Sequence, residues 1–220
     1  MIRSITGLFA CPVFDREGYL GRLHDAVVDR VVWMLRYLVV VTEGWRPGWF
    51  ALVPTSLVQG EVEQGRLRLD VARTEAMRCS REPQESPEAD GGRICLASSW
   101  PPGKVGPLRD DPSLHSVRGW QGYRLQAAHG SPGHVEDVLA DDVTWLARYL
   151  GVRTGTQPDG RRVLVPVSLL GEIDPGGRRV VTEVSAEAIE AAPGADPASP
   201  LDRGLEKKIY GHYDRPPYWA

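Results

Sequence analysis

The sequence has little cysteine, no excess of positive charge and no long apolar run. Its three cysteines, Cys11, Cys79 and Cys95, form no CxxC pair, which favours reduced thiols over a disulfide framework or a zinc site. The net charge is -3, whereas dedicated nucleic-acid binders usually carry a basic excess. The most apolar run, 31–41, is interrupted by Arg36 and is too short to span a bilayer. These absences predict a soluble, cytoplasmic protein without membrane insertion, for which nucleic acid is a disfavoured partner.

Catalytic and metal-binding signatures are also missing. The histidines form no HxH, HxxxH or HExxH pattern, and no GxSxG nucleophile elbow is present. The acidic pairs Glu136–Asp137 and Asp141–Asp142 fall near predicted turns, where solvated carboxylates are ordinary. The sequence therefore predicts a protein that is not an enzyme, with no catalytic residue, no metal site and no cofactor.

The sequence does contain an internal duplication. Three blocks recur without a gap at one constant spacing, 112 residues, obtained by subtracting the paired numbers. The blocks are 18–25 with 130–137, 33–38 with 145–150, and 52–57 with 164–169. Each copy is roughly 75 residues long, which is enough for a small domain.

The duplication divides the chain into four parts. The first copy covers 1–79, the second covers 117–195, and a C-terminal helix and aromatic tail cover 196–220. Between the copies, 80–116 is rich in proline, glycine and acidic residues, a composition that buries little apolar area and predicts a linker. Such a linker is compatible with copies that pack together and with copies that do not.

Each copy has the pattern of short strands joined by tight turns. In the second copy, Tyr123, Leu125 and Ala127 alternate with polar residues, as in a half-buried strand. The segment 157–160 predicts a hairpin turn in which Gly160 takes a positive φ. Ser185 is a predicted cap of a short helix. The expected fold is mainly β, with each copy a small barrel or curled sheet and with short helices.

The repeated blocks resemble the PRC-barrel family, named after the cytoplasmic domain of the photosynthetic reaction centre H subunit. The shared pattern is Gly-x-x-Gly-x-Val-x-Asp, then Trp-x-x-Arg-Tyr-Leu-Val-Val, then Val-Leu-Val-Pro-x-Ser-Leu, at 130–170 and again at 18–57. The segments 196–203 and 210–219 resemble the tails of bacterial members with two copies. The resemblance implies two small β-barrels that act through protein contacts, and it brings no catalytic residues. The H subunit's membrane-spanning segment has no counterpart in this sequence.

Two arginines and two aspartates occupy equivalent places in the copies. Arg36 and Arg148 lie inside apolar strands, where an unpaired charge is costly to bury. We therefore expect the structural ion pairs Asp25–Arg36 and Asp137–Arg148, which would fix the strand register; a polar functional site is the alternative.

The C-terminal segment combines an amphipathic helix with aromatic residues. Ser199 is the predicted N-cap of this helix, and its apolar stripe comprises Leu201, Leu205 and Ile209. Aromatic rings are costly to leave in water. We expect them either to dock on the chain itself or to contact a partner, including a second copy of the chain in a homodimer. The aromatic residues are Tyr210, Tyr213, Tyr218 and Trp219.

The functional hypothesis is a non-enzymatic protein-interaction or assembly module with an unidentified protein partner. The alternative is an accessory factor in RNA metabolism or ribosome maturation, because a ribosome maturation factor carries a domain similar to the one that the motifs resemble.

Overall fold

The structure is a computed structural model that describes residues 1–43, 47, 49–60, 62, 65–78, 80–81, 111–155, 160–196 and 201–220. It is mainly β, with two sheets. The predicted hairpin turn at 157–159, most of the predicted linker, and Cys79 and Cys95 lie outside the described residues. Cys11 is a free thiol, and burial raises its pKa to about 11.

The two repeats contain strands and helices in the same order. The first repeat has β1 (Ile2–Ser4), β2 (Pro12–Asp15), β3 (Gly18–Asp29), β4 (Met34–Thr42), β5 (Phe50–Pro54), β6 (Leu67–Arg68), α1 (Arg73–Arg78) and β7 (Ser80–Arg81). The second has β8 (Leu114–Ser116), α2 (Val117–Trp120), β9 (Arg124–Gln126), β10 (Gly133–Asp141), β11 (Ala147–Thr154), β12 (Arg162–Pro166), β13 (Leu170–Asp174), β14 (Arg179–Thr182) and α3 (Ala186–Glu190). Helix α4 (Arg203–His212) follows.

Each sheet has seven strands. The first sheet has the order β6-β2-β3-β4-β5-β7, with β8 also paired to β3. The second has the order β12-β11-β10-β9-β14-β13, with β1 also paired to β10. Only β2–β6 and β9–β14 are parallel pairs among the described strands.

The first strand of each repeat lies in the sheet of the other repeat. Strand β8 pairs with β3 through Val27 opposite Ser116 and Asp29 opposite Leu114. Strand β1 pairs with β10 through Ser4 opposite Leu139. Subtracting 112 from Ser116 and adding 112 to Val27 gives Ser4 and residue 139, so the two pairings have the same register. The repeats therefore exchange their first strands.

The division of the chain into compact units follows this exchange. One unit comprises 1–4, 120–141 and 147–220, and the other comprises 5–119 and 142–146. Residues 114–116, which the composition assigned to the linker, are a strand of the first sheet.

The sheets are held by buried aliphatic residues on their strands. In β4, Leu35, Leu38, Val39 and Val40 are fully buried, and such β-branched and leucine side chains favour a pleated, packed surface. The turns after β3 and β10 place Trp33 and Trp145 at φ 52° and 58°. A left-handed conformation is uncommon for bulky residues, so its presence at equivalent positions shows that both repeats have the same turn.

Two local predictions are wrong. Helix α4 begins after Asp202, whose side chain accepts a hydrogen bond from the Leu205 N–H, so the N-cap is not Ser199. The glycine with a positive φ beside the 156–159 segment is Gly155, at 77°, rather than Gly160. The predicted cap at Ser185 is confirmed, because its hydroxyl accepts from the Ala188 N–H.

Among the described residues, no helix has the length and apolar character needed to cross a membrane.

Candidate protein-binding groove beside the C-terminal tail

The expected Asp25–Arg36 ion pair is replaced by a different pairing. The Arg36 guanidinium donates to Asp29, with 3.1 Å between Nη2 and Oδ2. The register explains the change: Asp25 lies opposite Val39 in β4, whereas Asp29 lies opposite Met34 and so at the same end of the hairpin as Arg36. The sequence equivalence of the two charged residues was therefore real, but their spacing along the strands separates them.

Asp25 is fully buried and bonds to the exchanged strand and to the residues that follow it. It accepts hydrogen bonds from the Ser116 hydroxyl, from the Arg118 N–H at 2.9 Å and from the Ala26 N–H at 2.7 Å. Burial raises the pKa of the Asp25 carboxyl to about 6, against the opposing effect of these donors. Asp25 therefore helps to fix β8 on β3.

The expected Asp137–Arg148 ion pair is also replaced. Asp137 lies opposite Gly151, and Arg162 reaches it from the next strand, with 2.5 Å between Nη2 and Oδ2. Both side chains of this pair are buried, so the pair is structural. The Arg148 guanidinium instead lies over the Tyr218 ring, 3.9 Å from its centroid.

Helix α4 packs its apolar stripe on the second sheet. Ile209 is fully buried, and Leu201 and Leu205 pack beside it at one-turn spacing, as the sequence predicted. The buried sheet residues that they join are Ile2, Leu139, Tyr149 and Leu164. Burial of these side chains, worth about 1.5–3 kcal/mol for each large residue, anchors the helix.

A buried carboxylate joins the helix, the sheet and the tail. Glu206 is 2% exposed and accepts hydrogen bonds from the Tyr149 hydroxyl at 2.8 Å, the Tyr218 hydroxyl at 3.1 Å and the Arg203 Nη1 at 3.0 Å. Burial, followed by the hydrogen bond with Glu206, raises the pKa of Tyr149. Three donors on one buried acceptor fix the tail in a single position.

The four aromatic residues of the tail lie against the second sheet. Tyr210 is buried, and its ring centroid is 5.7 Å from that of Trp219 and 6.2 Å from that of Tyr218, both with edge-to-face geometry. Tyr213 is partly buried, and burial raises its pKa. The tail thus docks on the unit that contains it, while Tyr218 and Trp219 keep part of their surface exposed.

A groove of about 440 Å³ runs beside this docked tail. We call it the tail groove. It is lined by Arg148, Val167, Ser168, Tyr210, Arg215, Pro216 and Tyr218. The sheet contributes its first members, and the helix and the extended tail contribute the others.

Two positive charges of the tail groove have no carboxylate partner among the described residues. The Nε of Arg148 is buried without a hydrogen-bond acceptor in that part of the chain. Arg215 uses its backbone N–H to bond the Tyr210 carbonyl at 3.0 Å, while its side chain is exposed. The equivalent of Arg148 in the first repeat, Arg36, is neutralised by Asp29. The tail groove therefore attracts negative charge, and the first repeat lacks this property at the matching arginine.

No cluster of three or more histidine, cysteine, aspartate or glutamate residues is placed to hold a metal ion within the described ranges. No protein-family model matches the chain, and no curated protein matches it.

Proposed function

We propose that the protein is a non-enzymatic protein-interaction module built from two PRC-type β-barrels, and that its tail groove binds an extended acidic segment of a protein partner. The repeated motifs support the family assignment. Two seven-stranded sheets with matching element order agree with two copies of one β module.

The observation that carries this proposal is the pair of unneutralised arginines beside exposed aromatic surface. Arginine and tyrosine are enriched at protein interfaces, where planar guanidinium groups and rigid rings bind with little loss of conformational freedom. Arg148 is already held over Tyr218, so it needs little further ordering to receive a carboxylate. A partner's aspartate or glutamate would supply the missing counter-charge.

The size and composition of the tail groove favour a peptide segment. A volume of about 440 Å³ holds a few side chains. Val167 and Pro216 offer apolar contact between the charged ends, and Ser168 offers a hydroxyl. The best ligand is therefore a short extended stretch in which acidic residues flank an apolar one.

A selection from a displayed random-peptide library tests the proposal. We expect the full chain to enrich peptides that carry acidic residues around an apolar or aromatic one. Binding of an enriched synthetic peptide, followed by fluorescence anisotropy, should weaken about tenfold or more in Arg148→Gln and in Arg215→Gln, because each loses a charge-assisted hydrogen bond.

Arg36→Gln is the matched control, because Arg36 holds the equivalent place in the first repeat and should leave peptide affinity unchanged. Enrichment of peptides without acidic residues, or equal affinities in wild type and both groove variants, would show that the tail groove is not the binding site.

A further inference from the structure

A second feature lies in the same unit and has no counterpart in the first repeat. Four basic residues form a row across four adjacent strands of the second sheet. Arg179 of β14 is the register partner of Arg124 in β9, which is also opposite His134 in β10, and His134 is opposite Arg153 in β11. Strands lie about 4.8 Å apart, so the row spans about 14 Å.

Like charges directly opposite each other destabilise a sheet. Two members of the row are offset by carboxylates, since Arg179 pairs with Asp174 at 3.0 Å and Arg153 pairs with Glu136 at 2.5 Å. Arg124 and His134 are exposed and have no carboxylate partner in the part of the chain that the structure describes. The row therefore retains positive charge that the fold itself does not neutralise.

A groove of about 300 Å³ lies along this row. We call it the basic groove. It is lined by Gly122, Arg124, Gln126, His134, Gly177, Arg178 and Arg179, with no carboxylate among them. It adjoins a cavity of about 510 Å³ that shares Gly122 and His134 and also contains Arg153.

Arg178 adds a further guanidinium in a fixed position. Its backbone is left-handed, at φ 48°, which is uncommon for a residue with a long side chain. Its guanidinium lies 5.0 Å from the Tyr123 ring centroid and donates to the Gln121 carbonyl at 3.4 Å. A strained backbone and a positioned guanidinium at the same residue are typical of a ligand-binding position.

The first repeat shows that the scaffold does not require this charge. At the positions 112 residues earlier, only the equivalent of His134 is basic, and the other three members of the row are apolar. The equivalents of Arg124, His134, Arg153 and Arg179 are Pro12, Arg22, Val41 and Leu67. The same β framework therefore forms with and without the basic row.

We propose that the basic groove binds a small phosphorylated molecule. Guanidinium groups bind phosphate oxygens through two parallel hydrogen bonds, and Arg124 and Arg178 both line the groove without an ion-pair partner among the described residues. The volume suits a small ligand, and the net charge of -3 opposes association with a long polyanion. This assignment is independent of the tail groove, because the two grooves share no lining residue.

Calorimetric titration of the full chain with pyrophosphate at low ionic strength tests the proposal. We expect saturable binding that weakens at least about tenfold in Arg124→Gln and in Arg178→Gln, since each loses a guanidinium–phosphate contact. Arg66→Gln, at the first-repeat position equivalent to Arg178, should bind as wild type does. Thermal unfolding of each variant checks that the fold is retained, which exposure of all three side chains predicts.

Three results would overturn the proposal. The first is the absence of saturable pyrophosphate binding. The second is an equal loss of affinity in Arg66→Gln, which would indicate a general effect of net charge. The third is tighter binding of a single-stranded oligonucleotide than of pyrophosphate, lost in the same two variants, which would favour the RNA-related alternative.

Discussion

Replacing Gly133 with alanine should prevent the second sheet from assembling. A Cβ built at Gly133 would lie 2.0 Å from the Arg153 carbonyl oxygen and 2.9 Å from the Thr154 Cα, far inside van der Waals contact. The backbone cannot move away easily, because Gly133 is paired with Thr154 on one side and with Leu125 on the other. We expect a loss of about 4 kcal/mol or more in the free energy of unfolding, the size associated with severe conflicts.

Urea denaturation followed by circular dichroism measures this loss. Gly171→Ala is the matched control, because Gly171 lies in the same sheet and its Cβ would be an ordinary 3.6 Å from the Val181 carbonyl. Gly21→Ala should resemble Gly133→Ala, since its Cβ would come within 1.9 Å of the Val41 oxygen. A Gly133→Ala protein as stable as the Gly171→Ala control would contradict the close approach of β10 and β11.

Replacing Glu206 with alanine should release the aromatic tail. The change removes the common acceptor of Tyr149, Tyr218 and Arg203, and leaves the fully buried Tyr149 hydroxyl without its carboxylate partner. Breaking such a buried, hydrogen-bonded charge typically costs about 3–5 kcal/mol. Urea denaturation should show this loss, and limited proteolysis read by mass spectrometry should show faster cleavage within 213–220.

Lys207→Ala is the control for this experiment. Lys207 is the next residue on the same helix and is exposed, so its replacement should leave both unfolding and cleavage nearly unchanged. Identical proteolysis of the two variants would mean that Glu206 does not fix the tail.

Much of the fold follows from the sequence because its signals are local. The alternation of Tyr123, Leu125 and Ala127 predicted buried positions, and all three are buried around β9. The constant spacing of 112 residues predicted that whatever forms once forms twice. The exchange of β1 and β8 was not predicted, because three-residue strands carry almost no pattern and their choice of sheet is a long-range property.

The candidate sites were less predictable, because ionic partners depend on strand register. Asp25 and Arg36 were recognised as repeated residues, but Asp29 is the partner that the hairpin brings to Arg36. Glu206 was missed because a glutamate within an amphipathic helix is usually solvated. A signal did exist: Glu206 precedes Ile209 and Tyr210 by three and four residues, which places it on their face.

The basic row was also missed. Its four members are far apart in sequence, and only the strand pairing brings them side by side. Comparison of the repeats contained part of this information, since apolar residues in the first copy stand where arginines occur in the second.

The central structural claim is that each sheet contains a strand from the other repeat. A protease recognition site inserted between Gly91 and Gly92 allows the chain to be cut between the repeats. Fragment 1–91 would then hold β1 of the second sheet, and fragment 92–220 would hold β8 of the first. Native mass spectrometry after cleavage should find one complex of both fragments, which comes apart only on denaturation. Two separate fragments that each retain their folded β signal would contradict the exchange.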